Sequence, residues 1–124
     1  QSLSQAIKAW ETKNGSCAED AIEILLYAQI PSINKIDNSC NVLKNCEKLS
    51  LSTNMIDRMV SLAGMSKLQI LSLGRNNIKK IEKLEDVAES LQQLWISYNQ
   101  ISSLDGLACL SRLTTLYCAR NLLK

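Results

Sequence analysis

The side chains able to do chemistry in this 124-residue chain are few and scattered. There is no His. Ser and Cys nucleophiles need a neighbouring base to activate them, so nothing in the sequence marks a nucleophilic site. Five cysteines, Cys17, Cys40, Cys46, Cys109 and Cys118, stand without a C-x-x-C pair. That count and spacing, with no His, argue against a structural metal. They read as reduced thiols of a cytoplasmic protein, some of them filling core positions. The strings G-x-x-x-x-G-K-[ST], G-x-G-x-x-G and H-E-x-x-H are absent, which removes the familiar phosphate, dinucleotide and zinc-hydrolase chemistries. Carboxylates gather at Glu82, Glu85, Asp86 and Glu89, where a solvated surface is the ordinary reading. No enzyme, cofactor or metal is therefore expected. Recognition chemistry remains: Trp95, Tyr98 and Tyr117 with Arg75 and Arg120. Exposed rings edged by guanidinium groups are the usual components of a protein-binding hot spot.

Composition narrows the scaffold that must present them. Fourteen basic and twelve acidic residues leave a net charge of +2, too balanced for a nucleic-acid binder, which carries a basic stripe. No apolar stretch approaches a membrane span, and none reads as a signal peptide. Neither nucleic acid nor membrane is expected as a partner. Hydrophobic residues make up 46% of the chain, aromatics only 4%, and Phe is missing. The core must be built from Leu and Ile, and one dominant aliphatic type prompts a search for repeats.

Four segments align without gaps: CEKLSLSTNMID (46–57), LQILSLGRNNIK (68–79), LQQLWISYNQIS (91–102) and LTTLYCARNLLK (113–124). Each fits L-x-x-L-x-L-x-x-N-x-I, the signature of leucine-rich repeats. Asn54, Asn76, Asn99 and Asn121 are spaced by 22, 23 and 22 residues. The fold class is therefore α/β, a leucine-rich-repeat solenoid with short parallel strands on its concave face. The L-x-L centre has a strand period of two. It points Leu49 and Leu51, Leu71 and Leu73, Leu94 and Ile96, and Leu116 and Cys118 inward. Each Asn can satisfy backbone groups left unpaired at the turn. Ile56 and Met59, Ile78 and Ile81, and Ile101 and Leu104 should carry the chain back through the convex layer. Short helical or 3₁₀ turns are expected there, with a fuller turn in 83–90.

The remaining strand positions form the concave face. One row holds Ser50, Ser72, Trp95 and Tyr117, and the row before it Lys48, Ile70, Gln93 and Thr115. The row after holds Ser52, Gly74, Ser97 and Ala119, and the positions just before each Asn are Thr53, Arg75, Tyr98 and Arg120. Neighbouring strands lie about 4.8 Å apart, so Trp95 and Tyr117 should touch, with Ile70 and Tyr98 close by and Arg75 and Arg120 at the edge. These six residues are the candidate protein-binding site.

At the ends, residues 1–14 read as an N-terminal capping helix, with Leu3, Ile7 and Trp10 on one face, Ser2 or Ser4 as cap and Asn14-Gly15 as stop. Residues 15–124 read as about five repeats. The first, 21–36, is degenerate: Ile22, Ile24, Leu26, Ile30, Ile33 and Ile36 are apolar, and Pro31 interrupts the junction. The chain begins at Gln1 and stops at Lys124 without a C-terminal cap, so it reads as a piece of a longer protein.

The strings Leu49-SLSTNMI, Ile70-LSLGRNNIKKIE and Leu94-WISYNQISSL closely resemble the leucine-rich-repeat light chains of axonemal outer-arm dynein. Ala6-Ile7, Ile30-Pro31-Ser32-Ile33 and Leu43-Lys44-Asn45-Cys46 resemble them too, so the likeness spreads over nearly the whole chain. The resemblance implies a non-catalytic light-chain subunit in the cytoplasm and cytoskeleton, at the axoneme of cilia or flagella. It implies a dynein heavy chain as partner, bound at the microtubule-binding domain of its stalk tip, with tubulin as a further contact. It also implies a role in tuning the motor's grip on the microtubule, with Trp95 and its concave neighbours touching the heavy chain. A scaffold of another complex, such as a phosphatase regulator or a splicing particle, shares the same short repeat. So does a leucine-rich domain cut from a larger enzyme.

Overall fold

The computed structural model describes residues 1–35, 37–59 and 61–123. Ile36, counted above in the degenerate repeat, and Lys124, the final residue, lie outside the described residues. Five three-residue strands form one parallel sheet in chain order: β1 (Glu23–Leu25), β2 (Lys48–Ser50), β3 (Ile70–Ser72), β4 (Gln93–Trp95) and β5 (Thr115–Tyr117). The register matches the sequence alignment: Leu49 pairs with Leu71, Leu71 with Leu94, and Leu94 with Leu116. The degenerate repeat joins it, with Ile24 opposite Leu49.

Alternation along each strand sends one row inward. Leu49, Leu51, Leu71, Leu73, Leu94 and Ile96 are buried. Leu116 and Cys118 are half-buried and pack against the same core. The convex return contributes Ile56, Met59, Ile78, Ile81 and Ile101, all buried. Leu104 departs from expectation. It is 41% exposed, and Leu110 turns inward in its stead. A tight turn at Gly106 (φ 101°) separates the two, and a Cβ there would press on the Ile81 carbonyl oxygen. In the first repeat Ile24, Leu26 and Ile33 are buried, whereas Ile22 and Ile30 face solvent. Ile30 precedes the cis peptide to Pro31, in the turn that replaces a regular junction. The connections hold 3₁₀ turns at Ala18–Asp20, Asn38–Val42 and Glu85–Val87, the last within the longer connection 83–90.

The asparagines lock the stack. Asn76 Nδ2 donates to the carbonyls of Leu73 in its own repeat (2.9 Å) and Leu51 in the preceding one (3.0 Å). Its Oδ1 accepts from the Ile56 N–H at 3.0 Å. Asn54, Asn99 and Asn121 repeat the pattern, reaching back to Leu26, Leu73 and Ile96 and to the N–H groups of Ile33, Ile78 and Ile101. One amide thus fills both requirements of a buried turn, donor and acceptor, at each step.

The N-terminal helix α1 (Leu3–Asn14) starts with a reciprocal capping box between Ser2 and Gln5. It ends at Gly15 in the left-handed conformation (φ 63°), whose N–H returns to the Glu11 carbonyl. Leu3, Ala6 and Ile7 are buried in the solenoid core, and Trp10 packs half-buried against it. The apolar face chosen by the 3.6-residue period thus covers the first repeat. Among the described residues no helix is long and apolar enough to cross a membrane.

The thiols divide by burial. Cys40 and Cys46 are buried, Cys118 is half-buried, and Cys17 and Cys109 are exposed. Burial, with the Cys46 and Asp37 charges adding to it, pushes the Cys40 thiol up to about 12. Burial raises that of Cys46 to about 11 against the opposing pull of backbone hydrogen bonds. The thiolate is the reactive form, so at pH 8 an excess of a thiol-exchanging reagent should modify Cys17 and Cys109 quickly. Cys40 and Cys46 should react only on unfolding. Mass mapping of the labelled peptides checks this, and fast labelling of Cys40 in the folded chain would contradict its placement. With folded values above the unfolded one, these thiols support the fold fully below about pH 9. That support is lost as pH rises toward 11 and 12.

Candidate protein-binding face

The sheet's non-core rows make one continuous surface. The pairings place Leu25, Ser50, Ser72, Trp95 and Tyr117 in a line across the five strands. Glu23, Lys48, Ile70, Gln93 and Thr115 form the line beside it. Within the first line two small residues, Ser50 and Ser72, lie between Leu25 on one side and Trp95 and Tyr117 on the other. The Trp95 and Tyr117 rings meet at 4.6 Å between centroids, inclined at 52°. Such tilted contacts are favourable for aromatic pairs. The Trp95 indole N–H also donates to Gln93 Oε1 at 3.1 Å. Even so, Trp95 and Tyr117 remain 41% and 48% exposed. They hold each other in place and leave their outer faces open.

The row just before the asparagines forms a lip along the strand ends. Ala28, Thr53, Arg75, Tyr98 and Arg120 all take positive φ, between 48° and 61°. Left-handed backbone at a non-glycine residue is uncommon. Here it recurs once per repeat because the chain must turn sharply while each lip N–H still bonds to the next repeat. Thr53 N–H donates to the Gly74 carbonyl, Arg75 N–H to that of Ser97 and Tyr98 N–H to that of Ala119. The turn carries the Arg75 guanidinium over the Tyr98 ring, 4.1 Å from its centroid, a cation–π contact.

All six sequence-chosen residues thus lie on this surface. Trp95 and Tyr117 are in contact, Arg75 and Tyr98 are stacked, Ile70 is half-buried beside Gln93 and Lys48, and Arg120 is exposed on the lip. Two shallow grooves join all of them but Arg120. One, of roughly 190 Å³, runs between Arg75, Tyr98, Trp95 and Tyr117 over Ser52, Ser72 and Gly74. The other, of roughly 290 Å³, runs from Trp95 across Ile70, Lys48 and Ser50 to Leu25 and Tyr27. Leu25 (37% exposed) and Tyr27 (57%) were missed from sequence. The signal was present: once Ile24 and Leu26 are placed inward, the period of two turns Leu25 and Tyr27 to the concave side. The Ser52 and Ser72 hydroxyls bond to each other on the groove floor. Among the described residues no group of three or more His, Cys, Asp or Glu could hold a metal.

A parallel sheet of Asn-locked 22–23-residue units with an aromatic concave face is the architecture of a leucine-rich-repeat protein. A family model for leucine-rich repeats (two copies) matches residues 89–124. The resemblance to axonemal dynein light chains is also found in curated relatives. The chain is 57% identical over 77 residues to dynein axonemal light chain 1 of Rattus norvegicus, 56% to that of Homo sapiens and 48% to that of Chlamydomonas reinhardtii. Each match covers 62% of this chain, a narrower stretch than the motifs first suggest, and 39–40% of the relative. The chain spans about two fifths of the length of the curated relatives it matches.

Proposed function

We propose that this chain is a non-catalytic light-chain subunit of axonemal outer-arm dynein, working in cilia or flagella. Its concave face docks on the dynein heavy chain at the microtubule-binding stalk tip. The observation that supports docking most directly is the Trp95–Tyr117 pair, ordered by its own contact yet open to solvent. Rigid, half-exposed aromatics beside arginine are where interfaces concentrate their energy. Tuning would be mechanical: a bound scaffold shifts the motor's states only if it binds them with different affinities. Tubulin would be near the complex, because the docking site belongs to the track-binding domain. The relatives' name supports association with an axonemal dynein.

The test is a titration of the chain with a recombinant heavy-chain stalk-tip domain. Trp95→Ala should weaken binding about 30-fold or more, as at other aromatic hot spots. Because Trp95 is outside the core, its melting temperature should stay within a few degrees of the parent. Unchanged affinity in a folded variant would remove the concave face from the interface. A wild-type chain that ignores every axonemal stalk tip would remove the partner.

A further inference from the structure

The lip carries two arginines and no carboxylate. In chain order across the strands it reads Thr53, Arg75, Tyr98, Arg120. Arg75 and Arg120 follow the first and third of three consecutive strands. Their backbones therefore stand two strand spacings apart, roughly 9–10 Å. Tyr98 lies between them. Both arginines are exposed. Neither is paired with a carboxylate among the described residues. Glu23 and Glu47 lie at the opposite end of the strands, five or six residues back, roughly 16–20 Å along the chain. Asp57, four residues past Thr53, shares its row with Lys79.

Arg75 sits over the Tyr98 ring, 4.1 Å from its centroid, and its guanidinium N–H groups are paired with no carboxylate among the described residues. Those N–H groups form a fork that matches a carboxylate. We infer that the segment docking on this face is acidic: it presents two carboxylates, one to Arg75 and one to Arg120, flanking an apolar side chain seated on Trp95 and Tyr117. A basic segment of the same apolar content is repelled. The inference rests on the concave face being the docking surface, and it adds the chemistry of what docks.

Two displayed peptide libraries of identical apolar composition test it, one with Asp and Glu at paired positions, the other with Lys and Arg there. Panned on the immobilised chain, the acidic pool should enrich at least about tenfold over the basic pool. Raising salt from about 50 to about 300 mM should remove most of that preference. R75Q/R120Q should abolish the preference and R75E/R120E reverse it, while W95A should weaken acidic peptides without changing their salt response. No enrichment, equal enrichment, or an acidic preference that survives R75E/R120E would overturn the inference. Stalk-tip binding measured in parallel separates the two readings. Trp95-dependent stalk-tip binding without acidic preference overturns the acidic partner alone. Acidic preference without stalk-tip binding sustains the lip chemistry and removes the dynein heavy chain.

Discussion

Asn76→Ala is expected to lower the unfolding free energy by about 3 kcal/mol, and Asn121→Ala by only about 1 kcal/mol. Both amides make the same set of hydrogen bonds. What differs is access to water. Asn76 is 6% exposed, and its loss strands the Ile56 N–H in a closed interior, while the Leu51 and Leu73 carbonyls keep only the amides of Asn54 and Asn99. A buried backbone group left without a partner costs about 1–3 kcal/mol. Asn121 is only half-buried, so water can replace its amide. Urea denaturation of both variants measures the difference. Equal losses would show that the ladder's strength does not come from burial.

Leu71→Ala should cost about 4 kcal/mol, near the upper end for buried leucines. Leu71 is 1% exposed at the centre of β3, paired on both sides. It already borders a small apolar void with Leu51, Leu73, Met59 and Leu62. Truncation enlarges a space that the flanking strands cannot collapse into, because their hydrogen bonds fix the spacing. Leu116→Ala, at a half-buried site, should cost about 1–2 kcal/mol. The difference between the two is the sharper readout, since it cancels effects on the unfolded chain that both share. Thermal melts giving similar losses would contradict the burial gradient between β3 and β5.

The repeat was legible because its determinants are local and periodic. The alternation of Leu71, Ser72 and Leu73 fixes which side faces the core, and four asparagines in phase fix the register. From those two facts the contact of Trp95 with Tyr117 follows without any tertiary information. Leu104 was misplaced because a convex connection has no strict period. There the turn at Gly106, pressed against Ile81, decides which leucine goes in. Ile22 and Ile30 show the same limit, since being apolar does not say which way the chain bends. The stacking of Arg75 on Tyr98 was hidden for another reason. It depends on left-handed backbone at both residues, and residue type alone indicates that conformation only for glycine. Leu25 and Tyr27 were hidden because the first repeat has Gln29 where the asparagine fixes the phase of the others.

The asparagine ladder also has a direction. Each amide completes a turn made earlier in the chain: the Ile33 N–H waits for Asn54, 21 residues on, and the Leu26 carbonyl for the same residue, 28 on. Ile56 waits 20 residues for Asn76, and Ile78 waits 21 for Asn99. A ribosome adding about 5–20 residues per second therefore leaves every newly emerged turn incomplete for about 1–6 s. During that interval the waiting N–H has only water as a partner, and the growing end of the solenoid is always one unit behind the synthesis that will close it.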